Sequence, residues 1–105
     1  MDPRAVMNAK DRLEIVDVRE TYEWRAGRIE GAKNIPMAEL PGRLDEIGPG
    51  TVVVVCRSGS RSDRAAEFLR AKGFDAHSMQ GGMVAWARAG LPFTTPDGRP
   101  GEVAR

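Results

Sequence analysis

The run Thr51-Val52-Val53-Val54-Val55 sits between a break at Gly48-Pro49-Gly50 and the small, basic, polar segment Arg57-Ser58-Gly59-Ser60-Arg61-Ser62. The valines do not alternate with polar residues, so both faces of the strand they form are expected to be buried. That pattern belongs to a central strand of a parallel sheet covered on both sides. Its end is equally informative. Cys56, the only cysteine of the chain, stands where the strand gives way to a turn and then to a helical stretch. Strand tips followed by turns place side chains at the mouth of an α/β sheet, where ligands bind. The turn's amides and the positive end of the helix favour an anion there.

Other segments fill out the same architecture. Leu13–Val18 reads as a short strand, and Arg19–Gly27 as a short helix closed by its glycine. Ile29–Pro36 reads as a turn and brief strand stopped by proline. Met37, Leu40, Leu44 and Ile47 have helical spacing, which predicts a helix over 37–47 despite Pro41. From Ser62 onward, Ala65, Ala66, Phe68 and Leu69 form one apolar helical face that Gly73 ends. Asp75–Met79 suggests another strand, Gly81-Gly82 a turn, and Met83–Arg88 a last helix. Strands alternating with helices imply an α/β sheet with covered faces. The expected organisation is an N-terminal segment 1–12, one domain over 13–92, and a loose tail 93–105 rich in Pro, Gly and polar residues.

Bulk properties narrow the function. A chain of 105 residues has room for one domain with a modest core. Sixteen Lys and Arg against fifteen Asp and Glu leave a formal charge of +1, which argues against general binding to nucleic acid or to anionic membrane. No apolar stretch is long enough for a signal peptide or a membrane span. A lone cysteine excludes an intrachain disulfide and a multi-thiolate metal site, so neither metal nor cofactor is expected. A reducing, cytoplasmic compartment is the simplest home.

A free cysteine at the end of an apolar strand is commonly a small buried hydrophobe. The residues after Cys56 point elsewhere. One glycine and three serines would fill a core poorly, but they let backbone amides converge on a sulfur atom. An activated thiolate is therefore the expected role of Cys56.

Cys56-Arg57-Ser58-Gly59-Ser60-Arg61-Ser62 closely resembles the active-site loop of the rhodanese, or thiosulfate sulfurtransferase, family. Asp17-Val18-Arg19, Glu23-Trp24, Gly27, Gly31-Ala32 and Asn34-Ile35-Pro36 resemble that family's first signature. Gly81-Gly82-Met83-Val84-Ala85-Trp86, followed by Gly90-Leu91-Pro92, resembles its closing one. The likeness covers about residues 13 to 92. One departure stands out: the family commonly has histidine where this chain has Arg28, which bears on local packing rather than on the nucleophile. The N-terminal stretch is also short for the family's opening strand and helix. The resemblance implies a rhodanese-like α/β fold, with a central, mainly parallel sheet of about five strands and helices on both faces. It also implies a two-step cycle in which Cys56 takes the outer sulfur of thiosulfate or of a persulfide donor. A thiophilic acceptor such as cyanide or a thiol then removes that sulfur.

The residues are consistent with this chemistry in their own right. Sulfite leaves as a stable anion, so no general acid is needed to protonate it. His77, the single histidine, has no spacing to Cys56 that suggests a dyad and reads as a strand or surface residue. With no second cysteine, a persulfide on Cys56 must pass to another molecule, either a protein or a low-molecular-weight thiol. Backbone amides from Arg57 through Ser62 are expected to hold the charged sulfur. Arg57 and Arg61 either bind the sulfonate of thiosulfate or are exposed rim charges. Ser58, Ser60 and Ser62 are hydroxyl donors, and Ser62 is also a candidate helix cap. Asp63 reads as a helix-start carboxylate. Asp17 and Arg19 either brace the loop from behind or form a plain structural pair. Trp24 and Trp86 read as core anchors.

Two other classes compete. Phosphatases and arsenate reductases also raise a cysteine above a loop of amides, but typically place five residues between cysteine and arginine. Four residues separate Cys56 from Arg61, a smaller ring that suits one sulfur better than phosphate. A partner-binding persulfide relay or sulfur sensor is the other alternative. The two arginines lean toward thiosulfate over mercaptopyruvate as donor.

Overall fold

The computed structural model describes residues 1–105. Four strands form one sheet: β1 (Glu14–Asp17), β2 (Lys33–Asn34), β3 (Thr51–Val55) and β4 (Asp75–Ser78), in the order β2-β1-β3-β4. Every neighbouring pair is parallel. The register aligns Asp17 with Asn34 on one side and with Val55 on the other, while Val54 faces Ser78. Hence the C-terminal ends of all four strands open on one edge, and the residues that follow them converge there.

The valine run is the middle of the sheet, as its lack of alternation predicts. Val52 and Val54 pack on one face with Val16, Ile35, Leu40, Ala65, Ala66 and Leu69. Val53 and Val55 pack on the opposite face with Val6, Ile15, Ile29, Met79, Met83 and Trp86. All four valines are fully buried. The first face is covered by α3 (Ser60–Ala71), the second by α1 (Pro3–Ala9) and α4 (Gly82–Arg88). A short helix, α2 (Thr21–Ala26), follows β1. It starts with a capping box in which Glu20 and Glu23 satisfy each other's backbone amides. No helix is long and apolar enough to cross a membrane.

Three sequence expectations change. The sheet has four strands rather than about five, and within the N-terminal segment residues 3–9 form a helix. Asp2 caps that helix by accepting the Ala5 amide at 2.8 Å, and Pro3 occupies its first turn. Residues 37–47 are two 3₁₀ segments, Met37–Gly42 and Leu44–Glu46, not an α-helix. Pro41 has no amide hydrogen for an i−4 bond, and Gly42 follows it, so the tighter turn wins while Leu40 and Ile47 still reach the core.

The third change concerns residues 93–105, expected as a loose tail. They run back over the turn after α2. Arg28 and Thr94 exchange backbone hydrogen bonds of 2.9 and 3.1 Å, and the Glu102 amide donates to Ala26 O at 2.9 Å. Phe93 and Val103 lie against the second core face. Polar, proline-rich composition hid this contact because most of it is made by backbone rather than by side chains.

Of the two tryptophans, Trp86 is the core anchor, fully buried with its indole N–H donating to Pro92 O at 3.0 Å. Trp24 is only half-buried, and the Arg28 guanidinium stacks 4.3 Å from its ring centre. The arginine that departs from the family pattern thus has a packing role. Replacing Trp86 with alanine empties the centre of the second core face. Trp86→Ala is expected to cost about 3–5 kcal/mol of stability, read from the shift of a urea denaturation midpoint.

Candidate active site

Cys56 follows β3 directly, at the edge where the strand ends converge. Its carbonyl accepts the Met83 amide at 2.9 Å, and Arg57 O accepts the Val84 amide at 2.9 Å. Both donors lie in the first turn of α4, where amides have no partner inside their own helix. Gly82 makes this docking possible. A β-carbon there would lie 2.5 Å from Cys56 O and 2.6 Å from Arg57 O, and its backbone has φ +58°. This is the physical content of the Gly81-Gly82 signature.

From Arg57 the chain curls around the sulfur. Gly59 turns with φ +114°, a conformation that L side chains rarely adopt, and caps α3. Its amide donates to Cys56 Sγ at 3.0 Å. The amides of Arg57, Ser58, Ser60, Arg61 and Ser62 make no hydrogen bond within the protein. Three of them, from Ser60 to Ser62, are the free donors of the first turn of α3. Of the expected cup of main-chain nitrogens, the Gly59 amide is the one bonded to Sγ, and the others are left without a partner.

Ser62 lies inside this helical turn rather than at its cap, a position that Gly59 takes. The Ser62 hydroxyl donates to Gly59 O at 3.1 Å, lies 2.7 Å from Ser78 Oγ and accepts from Cys56 Sγ at 3.4 Å. Because its one hydrogen goes to Gly59 O, Ser78 is the donor in the Ser78–Ser62 pair. Ser58 and Ser60 are exposed at the rim, as is Asp63 in the first turn of α3.

The two loop arginines differ. Arg57 is half-buried, has no acidic partner, and its Nε is enclosed without an acceptor. Arg61 is held by Glu23 through two bonds of 2.8 and 3.0 Å. This pairing raises the Arg61 guanidinium further above its ordinary range, with the nearby Asp17 carboxylate adding to it. Burial alone would push the Glu23 carboxyl upward. The Arg61 bonds, the Glu20 amide and the charge of Arg19 outweigh it and hold Glu23 below the usual carboxylate range. Asp17 and Arg19 form a fully buried pair, with Nη2–Oδ2 at 2.7 Å and Nε–Oδ1 at 2.9 Å. Arg19 Nη2 also donates to Gly27 O at 2.8 Å. The bracing and structural readings of this pair therefore merge: it fixes both ends of α2, the helix that presents Glu23 to the loop. His77 lies on the exposed side of β4, 2.7 Å from Asp75, away from this network.

Sequence reasoning missed Glu23, Asn34 and Ser78 as parts of the site. Asn34 ties off the end of β1 by donating to Asp17 O and Arg19 O at 3.0 Å each. The Glu20–Glu23 spacing signals a capping box, but nothing local reveals that Glu23 spans 38 residues to Arg61. Access to the sulfur is narrow. Cys56 is 1% exposed, and the four cavities of the surface are lined by other residues.

This geometry has counterparts among known proteins. A family model described as a rhodanese-like domain matches residues 3–89. The chain belongs to the rhodanese-like family. The match begins ten residues before the boundary expected from the motifs, so it includes α1. A protein of Allochromatium vinosum named "Sulfurtransferase" is 41% identical over 86 residues, covering 80% of each chain. The crystal structure of a rhodanese-related protein from Thermoplasma volcanium superimposes with a TM-score of 0.86 at 28% identity, covering 90% of this chain and 95% of that one. A rhodanese-like domain protein from Staphylococcus aureus gives a TM-score of 0.77 at 36% identity, over 82% and 88% of the two chains. Other relatives are longer: the chain spans 56% of a Synechocystis protein and 22% of an Arabidopsis thaliana adenylyltransferase and sulfurtransferase. The rhodanese-like α/β fold expected from the motifs is thus the fold of this chain.

Two measurements check the site's construction. Gly82→Ala is expected to cost about 1–3 kcal/mol from backbone strain. It should also speed hydrogen exchange at the Met83 and Val84 amides, which lose their acceptors. Glu23 has a folded pKa below its ordinary 4.5. The unfolded chain therefore binds the proton more tightly, and the clasp stabilises above pH 4.5, then fades as pH falls through the folded value. Glu23→Gln should make stability fall less steeply in an acid titration over that range, followed by circular dichroism.

Proposed function

We propose that this chain is a sulfurtransferase in which Cys56 carries a sulfane sulfur as a persulfide. One observation carries the reading: the Gly59 amide donates to Cys56 Sγ at 3.0 Å inside a loop whose other amides are unpaired. Such a loop supplies preorganised donors to an anionic sulfur without a metal or a general acid. The family and the sulfurtransferase name of the Allochromatium vinosum relative support the same reading.

In the proposed cycle the Cys56 thiolate attacks the outer sulfur of thiosulfate. The S–S bond of the donor breaks, sulfite leaves with the bonding pair, and the new sulfur bears the negative charge as a Cys56 persulfide. A nucleophilic acceptor then attacks that outer sulfur and returns Cys56 as thiolate; with cyanide the product is thiocyanate. The chain has no second cysteine to resolve the persulfide, so the physiological acceptor is another molecule, a protein thiol or a low-molecular-weight thiol. A cytoplasmic, reducing setting suits this free thiol.

Charge around the loop bears on the donor. Glu23 offsets Arg61, which leaves Arg57 as the loop cation without an acidic partner. A doubly charged thiosulfate therefore meets less positive charge than the two arginines suggest by their presence. A persulfide donor, with a single charge at its reacting end, asks less of the same site. The deep seat of Cys56 favours, as a second reading, a relay that loads once and unloads to a docked protein.

Incubation with thiosulfate or glutathione persulfide, followed by intact mass measurement, tests the proposal. The expected result is one added sulfur atom per chain, removed by cyanide as thiocyanate. Cys56→Ser should lower the rate on the order of a thousandfold or more. A protein that never gains sulfur, yet hydrolyses an aryl phosphate, would overturn the reading. Rapid loading without turnover would select the relay.

A further inference from the structure

The segment after α4 lies mostly beyond the family match, which ends at residue 89, yet it touches the part of the molecule that holds Arg61. Phe93 to Glu102 folds into a small antiparallel loop, in which Thr94 pairs with Pro100 and the Gly101 amide donates to Phe93 O at 3.0 Å. This loop lies across the C-terminal end of α2. Thr94 pairs with Arg28 on one side of Gly27, and Glu102 bonds to Ala26 on the other. Between them two glycines meet. A β-carbon at Gly27 would lie 2.8 Å from Gly101 Cα and 2.8 Å from the Phe93 ring. One at Gly101 would lie 2.6 Å from the same ring and 2.9 Å from Gly27 Cα. At the start of α2, the Tyr22 hydroxyl donates to Arg105 O at 3.0 Å.

From Gly27 the contact continues inward. Gly27 O accepts from Arg19 Nη2, Arg19 chelates Asp17 at the end of β1, and Glu23 between them grips Arg61 in the first turn of α3. We propose that residues 93–105 are a positioning element of the Cys56 loop, acting through Gly27 and α2 on the Glu23–Arg61 clasp. The inference rests on the sulfurtransferase reading for what the loop does, but not for the mechanical link itself.

The link is directional in a testable way. The α2 helix has only six residues, too short to hold its own position in water, so its placement depends on what grips its ends. Asp17 and Arg19 grip it from within, and the C-terminal segment grips it from outside. Shifting the segment moves Gly27 O, and with it the anchor of Arg19 and the bearing of Glu23. The segment itself has no hydrogen bond to residues 56–62, and the hydrogen-bonded route from it to the loop runs through α2 and Glu23.

A double-mutant cycle in the full chain tests this. Gly101→Ala inserts a methyl between Phe93 and Gly27. Thr94→Pro, a milder alternative, deletes the amide that donates to Arg28 O, and serves if Gly101→Ala does not fold. Each is made alone and with Glu23→Gln, and circular dichroism verifies folding. The first readout is the rate of sulfur uptake from thiosulfate; the second is the rate of Cys56 alkylation by iodoacetamide. In the wild-type background the variant should change the rate about tenfold, the scale set by small misplacements of a reacting group. With Glu23→Gln the same change should shrink below about twofold, because the connection is already cut. Equal changes in both backgrounds, or no change in either, would overturn the proposal. If wild-type protein takes up no sulfur, the sulfurtransferase reading fails by itself, and alkylation still decides whether segment and loop are coupled.

Discussion

Two hydrogen bonds from the first turn of α4 to Cys56 O and Arg57 O set the orientation of everything around the sulfur. In a trans peptide the N–H points opposite to the preceding C=O. Fixing these two carbonyls toward α4 therefore turns the amides of Arg57 and Ser58 away from it. Cys56 packs with α3 on the first face of the sheet, while Met83 of α4 packs on the second. The carbonyls, which would repel an anion, thus face one layer of the molecule and the amides face the other. The same bonds satisfy donors that α4 would otherwise leave unpaired. Gly82 is the condition for this economy, since a side chain there would stand where the two carbonyls are.

Behind the loop, charges alternate from Arg61 to Glu23 to Arg19 to Asp17. Two of these, Arg19 and Asp17, are fully buried as a bidentate pair with a further bond to Gly27 O. Buried pairs of this kind add little net stability, because removing two ions from water costs about as much as their attraction returns. Their effect is geometric. Arg19 Nε and Nη2 find their acceptors only with Asp17 and Gly27 in place, so the end of β1 and the end of α2 are held in register. Glu23 is carried between them to the one helix turn that borders Cys56. A cation that looked free in the sequence is thereby part of the frame.

The fold and the loop that follows Cys56 were legible because their signals are local. Four buried valines, a cysteine followed by small residues, and glycines at strained turns each state their requirement within a few positions. The helix expected over 37–47 failed at Pro41, where the apolar spacing fits an α-helix and a 3₁₀ turn alike. The Glu23–Arg61 clasp and the Ser78 hydroxyl were illegible for a different reason. They depend on which elements the parallel register brings together, and no short window of residues contains that register. Residues 93–105 were hidden because the hydrogen bonds that dock them on Ala26 and Arg28 are made by backbone atoms, which every sequence has.

Ser62 has one hydrogen and three neighbours. While Cys56 is a thiol, that hydrogen rests on Gly59 O and the hydroxyl oxygen takes hydrogens from Ser78 and from the S–H. An ionised sulfur has nothing to give, so the Ser62 hydrogen is free to swing toward it. Gly59 O is not stranded by that rotation, since the Asp63 amide still donates to it at 2.9 Å. The wall of the cup can thus exchange an acceptor for a donor by turning one C–O bond, with no movement of the main chain.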